Sequence, residues 1–123
     1  MMKKKRITVE KADITANKLL IIGDETIKDL RPAGQILVDS DNFSFIYIME
    51  GHVDYTYIVL PQGVWPFLKI ALNEDLSVWI TYQDVYIELV DFTEELEYLI
   101  SNIKGNSNYG KEMVAKVEDI FHS

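Results

Sequence analysis

The feature of this sequence that most constrains its fold is a change in hydrophobic spacing at Asp91. Before Asp91, apolar side chains recur mainly at every second residue, as in strands; after it, they recur every three or four residues, as in helices. Two predicted helices have their apolar positions at Leu96, Leu99, Ile100 and Ile103, then at Met113, Val114, Val117 and Phe121. Helices this short are marginal alone in water, so we expect them to pack on the strands or on each other.

The ends of these two helices carry local signals. Asp91, followed three residues later by Glu94, predicts a capping box in which side-chain oxygens accept free backbone amides. Gly105 is predicted to end the first helix in a left-handed conformation. Asn108 is predicted to cap the second helix.

The sequence pattern of the first three-quarters of the chain predicts a β-sheet. The apolar or β-branched runs are residues 7–9, 19–22, 35–38, 43–48, 55–60, 77–82 and 85–90. Short turn segments at 16–17, 50–54 and 83–84 suit hairpins, so strands that follow one another in sequence are expected to pair.

Two segments interrupt this strand pattern. Residues 31–34 contain Pro32 and Gly34 and predict a loop that leads into a strand. Residues 64–73 have helical spacing, with Pro66 acceptable in the first turn. We therefore predict one α+β domain over residues 1–123: a mostly antiparallel sheet of about six to seven strands, one short inter-strand helix and a C-terminal helical pair.

Composition excludes several classes of protein. The chain has 123 residues, 48% of them hydrophobic, and no cysteine, which excludes disulfides, thiolate nucleophiles and iron–sulfur clusters. It has no apolar run of about 18 residues and no recognisable signal peptide, so we expect a cytoplasmic protein with no membrane contact. Its apolar content is typical of a folded globular chain.

The net charge of −8 is unevenly distributed. Residues 32–103 contain twelve Asp or Glu and one base, Lys69, whereas residues 1–31 contain eight Lys or Arg and five acids. Such a surface repels phosphate backbones, so no nucleic acid is expected as a partner. A solvated surface explains the charge on its own; the more specific alternative is a basic protein partner.

Two stretches of the chain resemble a known family. They are GQILVDSDNFSFIYI from Gly34 and EELEYLISNIKGNSNYGKEMVAKVEDIF from Glu94. The chain resembles the small, uncharacterised YjbL-like family of bacilli and related bacteria, mainly from Gly34 onward. This resemblance implies a single-domain cytoplasmic bacterial protein and supplies no catalytic or binding residues.

The acidic stretch Asp39-Ser40-Asp41-Asn42 is compared first with a calcium loop. Counted from Asp39, the fifth position is Phe43 and the sixth is Ser44, where an EF-hand needs an oxygen ligand and a glycine. We therefore predict an Asx-type turn and no metal ion. Asp39, Asp41 and Glu88 remain candidate ligand-binding residues if they line a common cleft.

No catalytic motif is recognisable. The sequence contains no nucleophile elbow, P-loop or dinucleotide fingerprint, so no catalytic residue and no cofactor are predicted, and an enzyme is not the favoured interpretation.

Two groups of residues are candidates for contact with a partner protein. Phe43, Phe45, Tyr47, Tyr55 and Tyr57 alternate on two strands and are expected to share one side of a hairpin, either as core or as a binding face. Asn106, Asn108 and Tyr109 lie in a glycine-containing loop that either only connects the helices or also contacts a partner.

These observations predict a noncatalytic interaction or regulatory protein of the bacterial cytoplasm that binds a protein partner through an acidic or aromatic surface. The alternative is a small-molecule-binding domain or enzyme with a carboxylate-lined cleft. A homo-oligomer that joins the basic N-terminal region of one copy to the acidic segment of another is a third hypothesis.

Overall fold

The computed structural model describes residues 5–122 of the chain. The strands are β1 (Lys5–Thr15), β2 (Lys18–Gly23), β3 (Arg31–Asp39), β4 (Ser44–Glu50), β5 (Tyr55–Pro61), β6 (Ser77–Tyr82) and β7 (Val85–Glu88). The helices are α1 (Trp65–Glu74), α2 (Phe92–Ile103) and α3 (Lys111–Phe121). The α+β class, the short helix between strands and the C-terminal helical pair are confirmed.

Within residues 5–122, seven strands form one mixed sheet in the order β3-β4-β5-β1-β2-β6-β7. Four neighbouring pairs are antiparallel, and β1–β5 and β2–β6 are parallel, which confirms a mostly antiparallel sheet. The helix α1 connects β5 to β6, which are separated in the sheet by β1 and β2.

Two hairpins close with two-residue turns. Ala16 and Asn17 join β1 to β2, and Gln83 and Asp84 join β6 to β7; all four have positive φ angles, between 45° and 68°. Turns with positive φ at both central residues match the twist of the flanking strands. The predicted turns at these two places are confirmed.

The three helices cover one face of the sheet. On strand β4, Phe45, Tyr47 and Met49 are fully buried in the main core. Ile46 and Ile48 alternate onto the opposite face, where they are also buried but lie outside that core cluster. We call the face without helices the open face.

Trp65 anchors the helical layer to the sheet. It is fully buried, and its indole Nε1 donates a hydrogen bond to the Leu60 carbonyl at 3.0 Å. Its ring centroid lies 5.0 Å from that of Phe45 and 5.8 Å from that of Phe121. The start of α1, strand β4 and the end of α3 therefore meet at this one side chain.

The predicted loop at residues 31–34 is wrong. These residues belong to edge strand β3, whose register shifts between Pro32 and Ile36 as in a β-bulge. Gly34 has a φ of +73° within this irregularity. The bulge accommodates Pro32 and Gly34, residue types that are also common in loops.

Two predicted helix caps are also wrong. Asp91 is the N-cap residue of α2, but it has a φ of 60° and its side chain makes no capping hydrogen bond. Gly110 is the N-cap residue of α3, while Asn108 lies in a short 3-10 turn before the helix. The left-handed Gly105 after α2, with a φ of +66°, is confirmed.

The predicted five-ring face does not form. Phe45 and Tyr47 pack in the core under the helices, whereas Tyr55 and Tyr57 pair across the sheet with Glu50 and Ile48 and face the open side. Phe43 lies in the turn after β3, where the Lys116 ammonium is 4.9 Å from its ring centre. The five aromatic side chains are therefore divided between the core, the open face and the turn after β3.

Candidate functional site

The acidic stretch at residues 39–42 forms a self-contained turn. The Asp39 carboxylate accepts hydrogen bonds from the backbone amide of Asn42 at 3.3 Å and from its side-chain amide at 2.9 Å. Asp39 also lies 3.5 Å from the Arg6 guanidinium. The predicted Asx-type turn is confirmed, because the Asp39 carboxylate accepts a backbone amide of its own turn, three residues on.

The three candidate ligand-binding carboxylates do not line a common cleft. Asp39 ends β3 at one edge of the sheet, Asp41 follows in the turn, and Glu88 lies on β7 at the other edge. The depression beside Glu88 has a volume of about 100 Å³, below the roughly 300–1,000 Å³ typical of ligand pockets. No three His, Asp or Glu side chains between residues 5 and 122 are grouped so that they could hold a metal ion.

A shallow depression of about 340 Å³ brings two predicted regions together. Asp41 from the β3–β4 turn lies beside Tyr109 and Lys111, which precede and begin α3. Almost 70 residues separate these regions in the sequence, so local sequence patterns could not predict that they lie close together. The candidate partner loop and the acidic turn therefore lie next to each other in space.

The loop between α2 and α3 is held mainly by its own side chains. The Asn106 side-chain oxygen accepts the backbone amide of Asn108 at 3.1 Å, and its amide donates to the Asn102 carbonyl at 3.3 Å. The Tyr109 hydroxyl accepts a hydrogen bond from the Asn102 side chain at 3.3 Å. Asn108 remains exposed, and Tyr109 is half-buried beside the C-terminal end of α2.

Tyr47 occupies a structural position. It is fully buried, its hydroxyl donates to the Val90 carbonyl at 2.8 Å, and the same oxygen accepts the Gly34 amide at 3.1 Å. Its ring stacks on Phe92, with centroids 5.8 Å apart. Tyr47 thus joins the bulge of β3 to the segment between β7 and α2, and it is not accessible to a partner.

Burial raises the pKa of the Tyr47 phenol from 10.0 to about 12. The Gly34 hydrogen bond opposes this shift, and the negative charges of Asp91, Glu88 and Glu95 add to it. These three carboxylates therefore create a negative potential around the junction of β7 and α2.

Raising the pH from about 10 to about 12 is expected to destabilise the protein through Tyr47 by about 2–3 kcal/mol. The unfolded phenol loses its proton near pH 10 and the folded one near pH 12, so the stabilisation is complete below pH 10 and is lost as pH rises through this window. Urea unfolding of the wild type and of Tyr47→Phe at each pH measures this effect. Equal pH slopes for both proteins would contradict it.

One further surface contains none of the candidate binding residues predicted from the sequence. Asp91, Glu94 and Glu97 are exposed at the start and along the outer side of α2, together with Val90 at 42% and Tyr98 at 67% exposure. We call these five residues the acidic helix surface. Its three carboxylates form no ion pair with any residue in the described part of the chain.

The sequence does contain a signal for the acidic helix surface. Residues 70–103 contain eight Asp or Glu and no Lys or Arg. The fold places most of these acids at the β6–β7 side of the sheet and on α2.

The fold and these surfaces define a class: an α+β protein with a mixed sheet that helices cover on one face. Its candidate binding residues lie at the surface or are half-buried, except Tyr47, which is buried. The chain belongs to the family UPF0738, a family of unknown function, whose model matches residues 7–121. No helix within residues 5–122 is long and apolar enough to cross a membrane.

Relatives in Bacillus support this assignment. The chain is 40% identical to a UPF0738 protein of Bacillus mycoides and 38% identical to one of Bacillus cytotoxicus. It is 37% identical to one of Bacillus cereus strain G9842. Each alignment covers 94% of this chain and 97% of the relative.

No solved structure matches the chain. The resemblance to a small, uncharacterised family from bacilli is confirmed, but these three relatives carry the UPF0738 name and not the YjbL name.

Proposed function

We propose that this protein is a noncatalytic, single-domain interaction protein of the bacterial cytoplasm, which binds a basic segment of a protein partner along the acidic helix surface. The observation that carries this proposal is the combination of unpaired carboxylates with exposed apolar side chains. Asp91, Glu94 and Glu97 supply charge without a compensating base, and Val90 and Tyr98 supply contact area beside them.

The geometry of α2 favours an elongated partner segment. Glu94, Glu97 and Tyr98 follow one another along the solvent side of the helix, because the opposite side buries Phe92, Leu96 and Ile100. Asn102 lies one turn beyond Tyr98 and donates to Tyr109, so this side of α2 continues into the loop that contains Asn106 and Asn108. A basic peptide along α2 would therefore reach these candidate loop residues.

The charges favour rapid and salt-sensitive binding. Opposite charges at the rim of an interface increase association rates and specificity, and a tyrosine near its centre is a frequent contributor to affinity. Carboxylates that already have partners, such as Asp39 with Arg6, would have to break those contacts first. At the acidic helix surface, no ion pair among the described residues has to be broken before a partner binds.

The alternative, a small-molecule site or an enzyme using Asp39, Asp41 and Glu88, is less well supported. These residues are distributed over both edges of the sheet, and none of the depressions described above unites them.

Reversing two charges of the acidic helix surface is expected to weaken capture of the partner about tenfold. Tagged wild type and the double variant Glu94→Lys with Glu97→Lys are compared as baits in Bacillus lysate at low and high salt. Quantitative mass spectrometry measures the retained proteins. The prediction is one partner with a basic segment that is retained by the wild type, lost by the variant and released by salt.

The matched control makes the same charge change on α3. Glu112 and Asp119 are exposed on that helix, so the variant Glu112→Lys with Asp119→Lys has the same net charge as the test variant. Equal loss of the partner from both variants would show a response to net charge alone and would contradict the proposed surface.

A further inference from the structure

On the open face of the sheet, side chains from four neighbouring strands, β1, β2, β6 and β7, line up in two rows. Strand register places Asp13, Leu20, Trp79 and Glu88 side by side in one row. The adjacent row contains Lys11, Ile22, Thr81 and Tyr86. We call these eight residues, together with Lys18 at the border, the open-face patch.

The apolar centre of this patch is not covered by a helix. Leu20, Ile22 and Trp79 are half-buried, Tyr86 is 56% exposed, and none of the four belongs to the core cluster under the helices. The Lys18 ammonium lies 4.6 Å from the centre of the Trp79 ring. Neighbouring large side chains on an open sheet face are typical of a surface that packs against another element.

The charges of the patch balance, although the whole chain has a net charge of −8. Lys11 and Lys18 oppose Asp13 and Glu88, and all four side chains are exposed. None of them forms an ion pair within residues 5–122. Two acidic chains repel each other over most of their surface, so a neutral patch with both signs of charge is the place where two copies can approach at low electrostatic cost.

The two rows are also complementary to each other. Two copies can pack face to face about a two-fold axis that runs perpendicular to the strands, midway between the two rows. The first row of each copy then lies opposite the second row of the other copy. Lys11 then faces Asp13 of the second copy, and Leu20 faces its Ile22. Two sheets packed in this way lie about 10 Å apart, as in a β-sandwich.

We propose that the open-face patch binds the same patch of a second copy of this chain and forms a two-fold dimer. The patch spans four strands and two rows of side chains, about 250 Å² at spacings of about 4.8 Å between strands and about 3.3 Å between residues. This area is below the roughly 800 Å² per partner of a standard interface, so we expect a weak dimer. This dimer uses a different surface from the acidic helix surface and does not depend on the proposed function.

Charge exchange between two variants tests the dimer. Sedimentation equilibrium is measured for the wild type, for Lys11→Asp and for Asp13→Lys, at concentrations up to about 1 mM. Each single variant places like charges opposite each other twice per dimer, so its dissociation constant is expected to rise at least about tenfold. An equimolar mixture of both variants pairs acids with bases again and is expected to recover most of the wild-type association.

The control is Val53→Asp, because Val53 is 87% exposed in the β4–β5 loop outside the patch. This variant is expected to associate like the wild type. A wild-type mass that stays monomeric at every concentration would overturn the proposal, and so would a dimer that Lys11→Asp leaves unchanged. A dimer weakened by the Glu94→Lys and Glu97→Lys changes alone would instead favour head-to-tail assembly through the acidic segment.

Discussion

Replacing Trp65 with alanine is expected to lower the free energy of unfolding by about 3–5 kcal/mol. Trp65 is fully buried and contacts the rings of Phe45 and Phe121, so its removal leaves a cavity where α1, β4 and α3 meet. The loss also leaves the Leu60 carbonyl without its indole donor. Urea unfolding followed by far-UV circular dichroism measures the change without relying on tryptophan fluorescence.

Trp79→Ala is the matched control for Trp65→Ala. Trp79 is half-buried on the open face and contacts Lys18 and Ser77, so its removal opens no enclosed cavity. A loss of about 1–2 kcal/mol is expected for the control. Equal losses for the two variants would contradict a core centred on Trp65.

Tyr47→Phe is expected to cost about 2 kcal/mol although it removes a single oxygen atom. The hydroxyl serves two backbone groups at once, the Gly34 amide and the Val90 carbonyl, and both lose their partner. These bonds hold the bulge of edge strand β3 against the segment that leads into α2. The variant is compared with the wild type by urea unfolding at pH 7.

Tyr98→Phe provides the control for the loss of a hydroxyl. Tyr98 is 67% exposed on α2, and a change of this kind at an exposed position is expected to stay within about 0.5 kcal/mol of the wild type. A Tyr47→Phe protein as stable as the Tyr98→Phe protein would show that the two buried hydrogen bonds contribute little to stability.

Local chemistry explains which parts of the fold could be predicted from the sequence. The turns at Ala16-Asn17 and Gln83-Asp84 were predictable because two-residue hairpin turns depend on their own residues. The periodicity of α2 and α3 was equally local. The parallel pairing of β1 with β5 and of β2 with β6 was not predictable, because contacts distant in sequence determine it.

Strand register explains why the aromatic face was predicted wrongly. Alternation correctly places Phe45 and Tyr47 on the same side of β4. It does not give the register of the hairpin, in which Tyr47 pairs with Ile58 and Tyr57 pairs with Ile48. Paired residues of neighbouring strands lie on the same face, so Tyr57 shares the open face with Ile48. A register shifted by one residue would instead have placed Tyr57 on the same face as Tyr47.

The capping hydrogen bond predicted at Asp91 does not form. Its spacing to Glu94 matches a capping box, but Asp91 adopts a left-handed conformation. One of its carboxylate oxygens lies only 3.2 Å from where a Cβ on Gly34 would be placed. The Asp91 carboxylate therefore lies close to the bulge of β3, a segment far from it in sequence.

The candidate site was only partly predictable. The Asx-type turn at Asp39 follows from local side-chain chemistry and is confirmed. Identifying the acidic helix surface required two pieces of information: the absence of Lys and Arg over residues 70–103, and the fold, which exposes Tyr98 on α2. The candidate residues Asn106, Asn108 and Tyr109 border this surface and remain predictions.

Site-specific photo-crosslinking tests the proposed interaction surface most directly. A photoreactive phenylalanine analogue is introduced at position 98 on α2, or at position 53 in the β4–β5 loop, and cells producing each protein are irradiated. Both positions are highly exposed, so they differ mainly in the surface they sample.

A discrete adduct with one partner protein from position 98 is predicted, without an adduct from position 53. The Glu94→Lys and Glu97→Lys changes should reduce the adduct strongly, because they remove the attraction for a basic segment. No adduct from position 98, or the same adduct from both positions, would contradict the proposal that the acidic helix surface binds a partner.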